Sequence, residues 1–251
     1  MLLAIDIGNT NIVLGLFVDE KLVHKFRLET NFVKQEEDYA VDIVELFLNH
    51  KIDCLQISNA IITSVVPNLT SVIEKAVKKF FSGDILVVGK NLKLNIEIAI
   101  KNKQEVGHDR LINAIAGYKK CGGDLIIVDF GTATTFDVVG TRGQYCGGVI
   151  APGVNLAIKA LHEMTAQLPK IQVKAQKNVI GQSTFEAMNS GIYFGYISLV
   201  EGLIIKIKAE YKQDMKVIIT GGLSPLFGEA IANDFIVPDL TLEGLKIVSK
   251  L

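Results

Sequence analysis

The chain has 251 residues, of which 26 are basic and 27 are acidic, so its formal net charge is −1. That length is sufficient for one large domain or two small ones with a substantial hydrophobic core. The balanced charge disfavours nucleic acid as the main partner, and no uninterrupted apolar run approaches the roughly 18 residues of a membrane span.

The N-terminus and the cysteines favour a cytoplasmic protein. Residues 1–6 carry no basic side chain and already include a carboxylate at Asp6, which is unlike a secretory signal. The three cysteines, Cys54, Cys121 and Cys146, are odd in number and lack the CxxC spacing of zinc sites. We therefore expect a reducing compartment, no disulfide framework and no structural zinc, with the cysteines packed as small apolar side chains.

The first half of the chain predicts an antiparallel meander followed by alternating helices and strands. The meander consists of β-rich segments separated by turn residues, at residues 2–7, 12–18 and 22–28. The elements after it are a helix at 38–49, a strand at 60–66, a helix at 68–81 and a strand at 85–88. Strands that alternate with helices are typical of parallel additions to a sheet.

The second half predicts the same arrangement. Its short strands are expected at residues 125–129, 134–139 and 144–150. They are followed by helices at 154–161 and 184–211, a strand at 217–220 and a helix at 225–232. The segment 3–10 resembles 126–133, since each is an apolar strand followed by Asp, an apolar residue, Gly and a small polar residue. We therefore predict an α/β fold with two related domains, residues 1–106 and 107–251, each built on a mixed sheet.

The two Asp-x-Gly turns have the composition of a phosphate-binding site. Each places a carboxylate, Asp6 or Asp129, at the end of a strand, followed by a glycine turn whose backbone amides can approach an anion. Short hydrogen-bonding side chains accompany the turns: Asn9, Thr10, Asn11, Thr132, Thr134 and Thr135. Two such loops facing a cleft predict a triphosphate site in which both aspartates hold cations. The alternative is that both are ordinary hairpin turns, in which Asn, Asp and Gly serve the backbone.

A third glycine turn extends this prediction. Thr220-Gly221-Gly222 follows a predicted strand and offers bare backbone to an adenine and a ribose, although a simple strand-to-helix connection is the alternative. Three such loops are typical of the actin, sugar-kinase and heat-shock-chaperone superfamily, whose ribonuclease H-like fold is duplicated around a central nucleotide cleft. Fold alone does not select a substrate.

A carboxylate at a predicted helix start is the candidate catalytic base. Asp109 follows Gly107 and His108 and precedes an amphipathic segment at 111–118. An aspartate in this position is either the N-cap of the helix or a base that accepts a proton from a hydroxyl nucleophile. The adjacent Arg110 provides a fork of donors for a carboxylate or a phosphoryl group.

Five motifs that occur in order along most of the chain resemble those of the type III pantothenate kinases. The motifs are Asp6-Ile7-Gly8-Asn9-Thr10, Gly107-His108-Asp109-Arg110, Asp129-Phe130-Gly131-Thr132-Ala133-Thr134, Gly147-Gly148-Val149-Ile150-Ala151-Pro152-Gly153 and Gly181-Gln182-Ser183-Thr184. This family makes 4′-phosphopantothenate from pantothenate and ATP, which is the first step of coenzyme A biosynthesis. Together the five motifs are far more specific than any one of them.

The resemblance implies a role for each matched position. It implies Mg²⁺ near Asp6 and phosphate contacts of ATP along Asp6, Ile7, Gly8, Asn9, Thr10, Asn11, Ile12 and Val13. It also implies that Thr132 contacts ATP, that Asp129 binds a monovalent cation (potassium or ammonium) and that Asp109 is the proton acceptor. Pantothenate contacts are implied for Gly107, His108, Asp109, Arg110 and Thr184, and a homodimer is implied as the assembly. Ser183 and Glu186 match a capping box, so Ser183 is expected to begin the long helix.

Two positions depart from the family pattern. The family usually has Ala where this chain has His108, so the loop is bulkier here. It commonly has Tyr in the pantothenate site where this chain has Ile100. These departures leave open a catalytically weakened, nucleotide-binding member that regulates a partner. A chaperone-like ATPase is disfavoured because the chain is too short for an added peptide-binding domain.

Overall fold

The computed structural model describes residues 1–250, which form two compact units. Unit 1 comprises residues 1–96, 104–116 and 241–250, and unit 2 comprises residues 97–103 and 117–240. The sequence predicts a single boundary between residues 106 and 107. In the structure the chain passes between the units more than once, since residues 97–103 belong to unit 2 and the final segment belongs to unit 1. That domain division stays a prediction.

Strands and helices occur largely where the sequence predicts them. The strands are β1 (Leu2–Ile7), β2 (Asn11–Val18), β3 (Lys21–Glu29), β4 (Asn59–Ser64), β5 (Ile85–Val87), β6 (Leu125–Phe130), β7 (Ala133–Val139), β8 (Tyr145–Pro152), β9 (Lys216–Thr220) and β10 (Phe235–Ile236). The helices are α1 (Glu36–Asn49), α2 (Pro67–Lys78), α3 (His108–Cys121), α4 (Val154–Glu163), α5 (Thr184–Tyr211), α6 (Ser224–Phe227) and α7 (Leu240–Val248).

The sheet of unit 1 has the strand order β3-β2-β1-β4-β5. The first three strands form the predicted antiparallel meander, and β4 and β5 add to it in parallel. Alternate residues of β1 point to opposite faces of the sheet. Ile5 packs in the core that includes α1 and α2, whereas Ala4 packs in the core that includes Ile112 of α3 and Leu245 of α7. Both faces of the sheet are therefore covered by helices.

The sheet of unit 2 repeats that topology. Its order is β10-β9-β6-β7-β8, so that β6 corresponds to β1, with an antiparallel neighbour on one side and a parallel neighbour on the other. One face packs against α4 and α5 around an aromatic cluster in which the rings of Phe130 and Phe227 stack with centroids 4.9 Å apart. This repetition confirms the duplicated fold that the two Asp-x-Gly turns predict.

Three features differ from the sequence-based expectations. The helix expected at 225–232 ends early, because α6 stops at Gly228 and the side-chain amide of Asn233 binds the carbonyls of Gly228 and Ile231. Neither β10 nor α7 was expected. Finally, α5 is long and apolar enough to span a membrane by length and composition, although polar residues interrupt its apolar runs. Core helices pass the same test, and one face of α5 is buried in unit 2.

Candidate active site

The first glycine turn joins β1 to β2 and is held by its own backbone. The amide of Gly8 donates to the carbonyl of Asn11 over 2.9 Å, and a β-carbon at Gly8 would lie 3.0 Å from that oxygen. Thr30 supports the turn from the end of β3, since its hydroxyl donates to the Gly8 carbonyl (2.7 Å) and its amide donates to the Thr10 carbonyl (3.0 Å). Asn9 and Thr10 are exposed. The turn therefore presents polar groups on a fixed backbone.

Asp6 lies on β1 directly before this turn. It is partly buried and is in register with Val13 of β2 and Thr63 of β4. Residues in register on neighbouring strands share a face of the sheet, so the Asp6 carboxylate lies on the face covered by α3 and α7. Asp109 lies in the first turn of α3, one of the two helices that cover this face.

The second glycine turn joins β6 to β7 and lies beside the third. The amide of Gly131 donates to the Ala133 carbonyl over 3.1 Å. Gly221 has a φ of +90°, and a β-carbon there would overlap Asp129 Oδ1 and the backbone of Phe130. Glycine at position 221 is thus required both by its conformation and by the close approach of Asp129. The structure brings these two predicted glycine turns together in unit 2.

The N-terminus of α4 lies against the turn that contains Thr132. Gly153 is the N-cap of α4, and a β-carbon there would overlap the carbonyl group of Thr132. The positive end of the α4 dipole therefore adjoins this exposed threonine. The sequence alone does not predict this contact, because residues 132 and 153 are brought together by the pairing of β7 with β8.

Asp109 is the second residue of α3, and its carboxyl group folds back onto Gly107. A β-carbon at Gly107 would overlap Asp109 Oδ1 and would lie 3.7 Å from a methyl group of Val65. Oδ1 is inaccessible to solvent and has no hydrogen-bond partner among the described residues. Asp109 thus lies inside the first turn of α3 with one carboxylate oxygen that no described residue binds.

Burial raises the pKa of Asp109 above its ordinary value of 3.8. The backbone amide and the charge of Arg110, and more weakly the neighbouring His108, oppose that shift by favouring the ionised carboxylate. The carboxylate is thus more basic than an exposed aspartate. This combination of a buried, unpartnered oxygen and a raised pKa is typical of functional carboxylates.

The remaining predicted positions are distributed as follows. The His108 ring lies against Gly89, in the turn after β5. Gly89 has a φ of +81°, and a β-carbon there would overlap the imidazole. Ile100 lies in a segment that pairs with Tyr145 of β8, and its methyl group is close to Gly147. Thr184 is exposed at the first position of α5.

The N-terminus of α5 is capped largely as the sequence predicts. The Ser183 hydroxyl accepts a hydrogen bond from the Glu186 amide over 3.2 Å. The Glu186 carboxylate accepts from the amide of Gln182 (2.8 Å), one residue earlier than a standard capping box. These contacts place Thr184 at the exposed start of α5.

Unit 1 brings the first glycine turn, Asp6 and the Gly107–Arg110 segment to the same end of its sheet. The connection after β4 joins them, since the Val65 amide donates to the Ile7 carbonyl over 3.0 Å. Unit 2 contains Ile100, Asp129, Thr132 and Thr184. The sequence alone does not identify Val65 and Thr63 as neighbours of the site, because their proximity to it depends on the register of β4 with β1.

The described residues do not form a self-sufficient metal site. No group of three or more His, Cys, Asp or Glu side chains among them is placed to hold one ion. Mg²⁺ in nucleotide enzymes is usually held by one or two carboxylates together with substrate phosphates. A single carboxylate beside a glycine turn, as at Asp6, fits that mode of binding.

Comparison with known proteins gives consistent results. A family model described as type III pantothenate kinase matches residues 2–206. The type III pantothenate kinase of Geotalea daltonii is 44% identical over 249 residues, covering 99% of this chain and 97% of the relative. That of Halalkalibacterium halodurans is 41% identical over 251 residues, covering 100% and 99%. Among solved structures, an inorganic polyphosphate/ATP-glucomannokinase from Arthrobacter is similar with a TM-score of 0.50 at 15% identity, covering 99% and 98%. The structural likeness confirms the predicted duplicated sugar-kinase-like fold.

Proposed function

The chain belongs to the type III pantothenate kinase family, and we propose that it transfers the γ-phosphoryl group of ATP to the pantothenate hydroxyl with Asp109 as the proton acceptor. The product is 4′-phosphopantothenate, at the first step of coenzyme A biosynthesis. One observation supports the choice of base: Asp109 Oδ1 is buried, no residue within 1–250 binds it, and it lies at the end of the unit 1 sheet that also carries Asp6.

Asp109 has the properties that a general base needs. Proton transfer is most effective when the pKa of the base lies close to the working pH, and burial moves the pKa of Asp109 in that direction. The neighbouring Arg110 supplies donors that orient the anionic substrate and stabilise charge that develops during transfer. Because the carboxylate must be ionised to accept a proton, we expect kcat/KM to fall as the pH drops through that raised pKa.

The first glycine turn and Asp6 are suited to the triphosphate. Backbone amides in a glycine turn bind phosphate oxygens, while Asp6 would hold Mg²⁺ from the adjacent strand. When bound, Mg²⁺ neutralises the charge of the β- and γ-phosphates. Thr30 holds the turn through two hydrogen bonds, so the turn loses little conformational entropy when nucleotide binds.

Asp129 is proposed to bind the monovalent cation. Its carboxylate is partly buried and lies against the backbone of the Gly221 turn. Carboxylate and carbonyl oxygens are the ligands that hard cations prefer. Thr132 would contact ATP from the neighbouring turn, beside the N-terminus of α4.

Pantothenate is proposed to contact Gly107, His108, Arg110, Thr184 and Ile100. The protein is also proposed to be cytoplasmic. It is proposed to form a homodimer, because α5 leaves large apolar side chains exposed outside its buried face. Examples are Phe185 and Ile205, which are 49% and 67% exposed. Such side chains on a long helix are typical of an interface between subunits.

Gly107→Ala tests whether the close packing of Asp109 on Gly107 sets the position of the base. The added β-carbon displaces Oδ1, and a displacement of about 1 Å near the reacting atoms costs on the order of 10²-fold in rate. We expect kcat to fall by about 10- to 100-fold while the Kd for Mg²⁺-ATP stays within about twofold of wild type.

The control is Val41→Ala, because Val41 lies in α1, is 63% exposed and belongs to no proposed site or interface. This control is expected to keep wild-type kcat and, because alanine has the higher helix propensity, to keep or raise the Tm. A Gly107→Ala enzyme with wild-type kcat would contradict the proposed position of the base.

A further inference from the structure

Each of the two strand-end aspartates has a threonine beside it on the neighbouring parallel strand. Asp6 of β1 is in register with Thr63 of β4, and Asp129 of β6 is in register with Thr220 of β9. Residues in register on parallel strands share a face, so each hydroxyl lies on the same face as its carboxylate. The same pair thus occurs in both halves of the duplicated fold, although the Asp-x-Gly motifs themselves do not include these threonines.

In unit 1 the threonine hydroxyl is buried without a partner. Thr63 has no solvent exposure, and its Oγ1 has no hydrogen-bond partner among the described residues. Ile61, two residues earlier on the same face, packs in the apolar core with Ile112 and Leu245. A valine would therefore match the shape of this side chain without its hydroxyl. A buried, unsatisfied hydroxyl destabilises the unliganded fold relative to that valine.

We propose that Thr63 is a positioning residue for the nucleotide-bound metal, and that its hydroxyl donates a hydrogen bond to the Asp6 carboxylate when Asp6 holds Mg²⁺-ATP. This inference rests on the proposed function. A carboxylate that binds a metal through one oxygen is oriented by a hydrogen bond to its other oxygen. Thr63 is the registered neighbour of Asp6 on β4, from which such a bond is possible within the sheet.

The experiment compares Thr63→Val, which removes only the hydroxyl, with Thr63→Ser, which keeps it. Affinity for ATP is measured by calorimetry with Mg²⁺ and with EDTA in its place, and Tm is measured without ligand. We expect Thr63→Val to weaken Mg²⁺-ATP binding by about 10- to 100-fold, the usual effect of losing a hydrogen-bond partner of a metal ligand. Thr63→Ser should stay within about threefold of wild type.

Two further readouts separate this role from a structural one. Binding of ATP in EDTA should change by less than about threefold in Thr63→Val, because the hydroxyl acts through the metal ligand. The Tm of unliganded Thr63→Val should equal or exceed that of wild type, because an unsatisfied hydroxyl is removed. The control Thr70→Val removes a hydroxyl that binds the Val66 carbonyl over 3.2 Å in the same unit, and it should leave Mg²⁺-ATP affinity unchanged.

The inference is overturned if Thr63→Val binds Mg²⁺-ATP within about twofold of wild type, or if Thr63→Ser loses as much affinity as Thr63→Val. Asp6→Asn distinguishes this failure from a failure of the proposed function. Weak Mg²⁺-ATP binding by Asp6→Asn together with normal binding by Thr63→Val would overturn only the role of Thr63. Normal binding by Asp6→Asn would overturn the placement of the metal at Asp6, and with it this inference.

Discussion

Replacement of Asp109 by Asn is expected to lower kcat for pantothenate phosphorylation by about 10²- to 10⁴-fold, the usual contribution of a positioned proton acceptor. The amide keeps the size of the side chain but cannot accept the hydroxyl proton. Since the proposed phosphate contacts lie at the glycine turn and Asp6, the Kd for Mg²⁺-ATP should stay within about twofold of wild type. Steady-state kinetics and calorimetry measure both quantities.

The stability of the same variant provides an internal control. Because burial raises the pKa of Asp109 in the folded state, the ionised carboxylate destabilises the native protein at any pH above that pKa. This destabilisation is absent at low pH, where the group is protonated in both states. Asp109→Asn removes the charge, so its Tm at pH 7 should equal or exceed that of wild type. Turnover within about threefold of wild type would show that Asp109 has no role as the proton acceptor.

Replacement of Asp129 by Ala is expected to abolish both activity and its dependence on a monovalent cation. In the wild-type enzyme, activity should collapse in buffer that contains only sodium and recover with potassium or ammonium. The physical reason is that Asp129 presents its carboxylate beside the Gly221 backbone, and carboxylate and carbonyl oxygens are the ligands that such a cation prefers. Initial rates at fixed ionic strength, with the chloride salt varied, measure this dependence.

Asp214→Ala is the matched control for that experiment, because Asp214 is a fully exposed aspartate of the same unit that pairs only loosely with Lys208, over 3.4 Å. It should respond to potassium as wild type does. Equal wild-type rates in sodium and potassium would instead assign Asp129 a role in forming the turn.

Local sequence was sufficient to predict the strands that carry the two aspartates. Asp6 and Asp129 are each followed within two residues by glycine in a short turn, and both turns occur where they were expected. The duplicated topology follows from that repeated pattern. The capping residue Ser183 was also predictable, because a cap depends on only four consecutive residues.

Contacts between distant segments could not be predicted in the same way. Thr63 is beside Asp6 only through the parallel register of β4 with β1, and β2, β3 and α1 separate those strands in the sequence. The return of α7 to the unit 1 sheet likewise depends on Leu242 and Leu245 packing near Ala4 and Ile61. For Asp109, the sequence left a helix cap and a base as alternatives, because the burial of Oδ1 depends on Gly107 and Val65.

The most direct test of the proposed function is the formation of 4′-phosphopantothenate by the purified protein. The reaction contains pantothenate, ATP and Mg²⁺, with potassium in one series and sodium in the other, and the product is quantified by mass spectrometry. We predict ATP-dependent product in the potassium series and much less in the sodium series. Nucleotide binding without any 4′-phosphopantothenate in either series would contradict the kinase assignment and favour the weakened regulatory member instead.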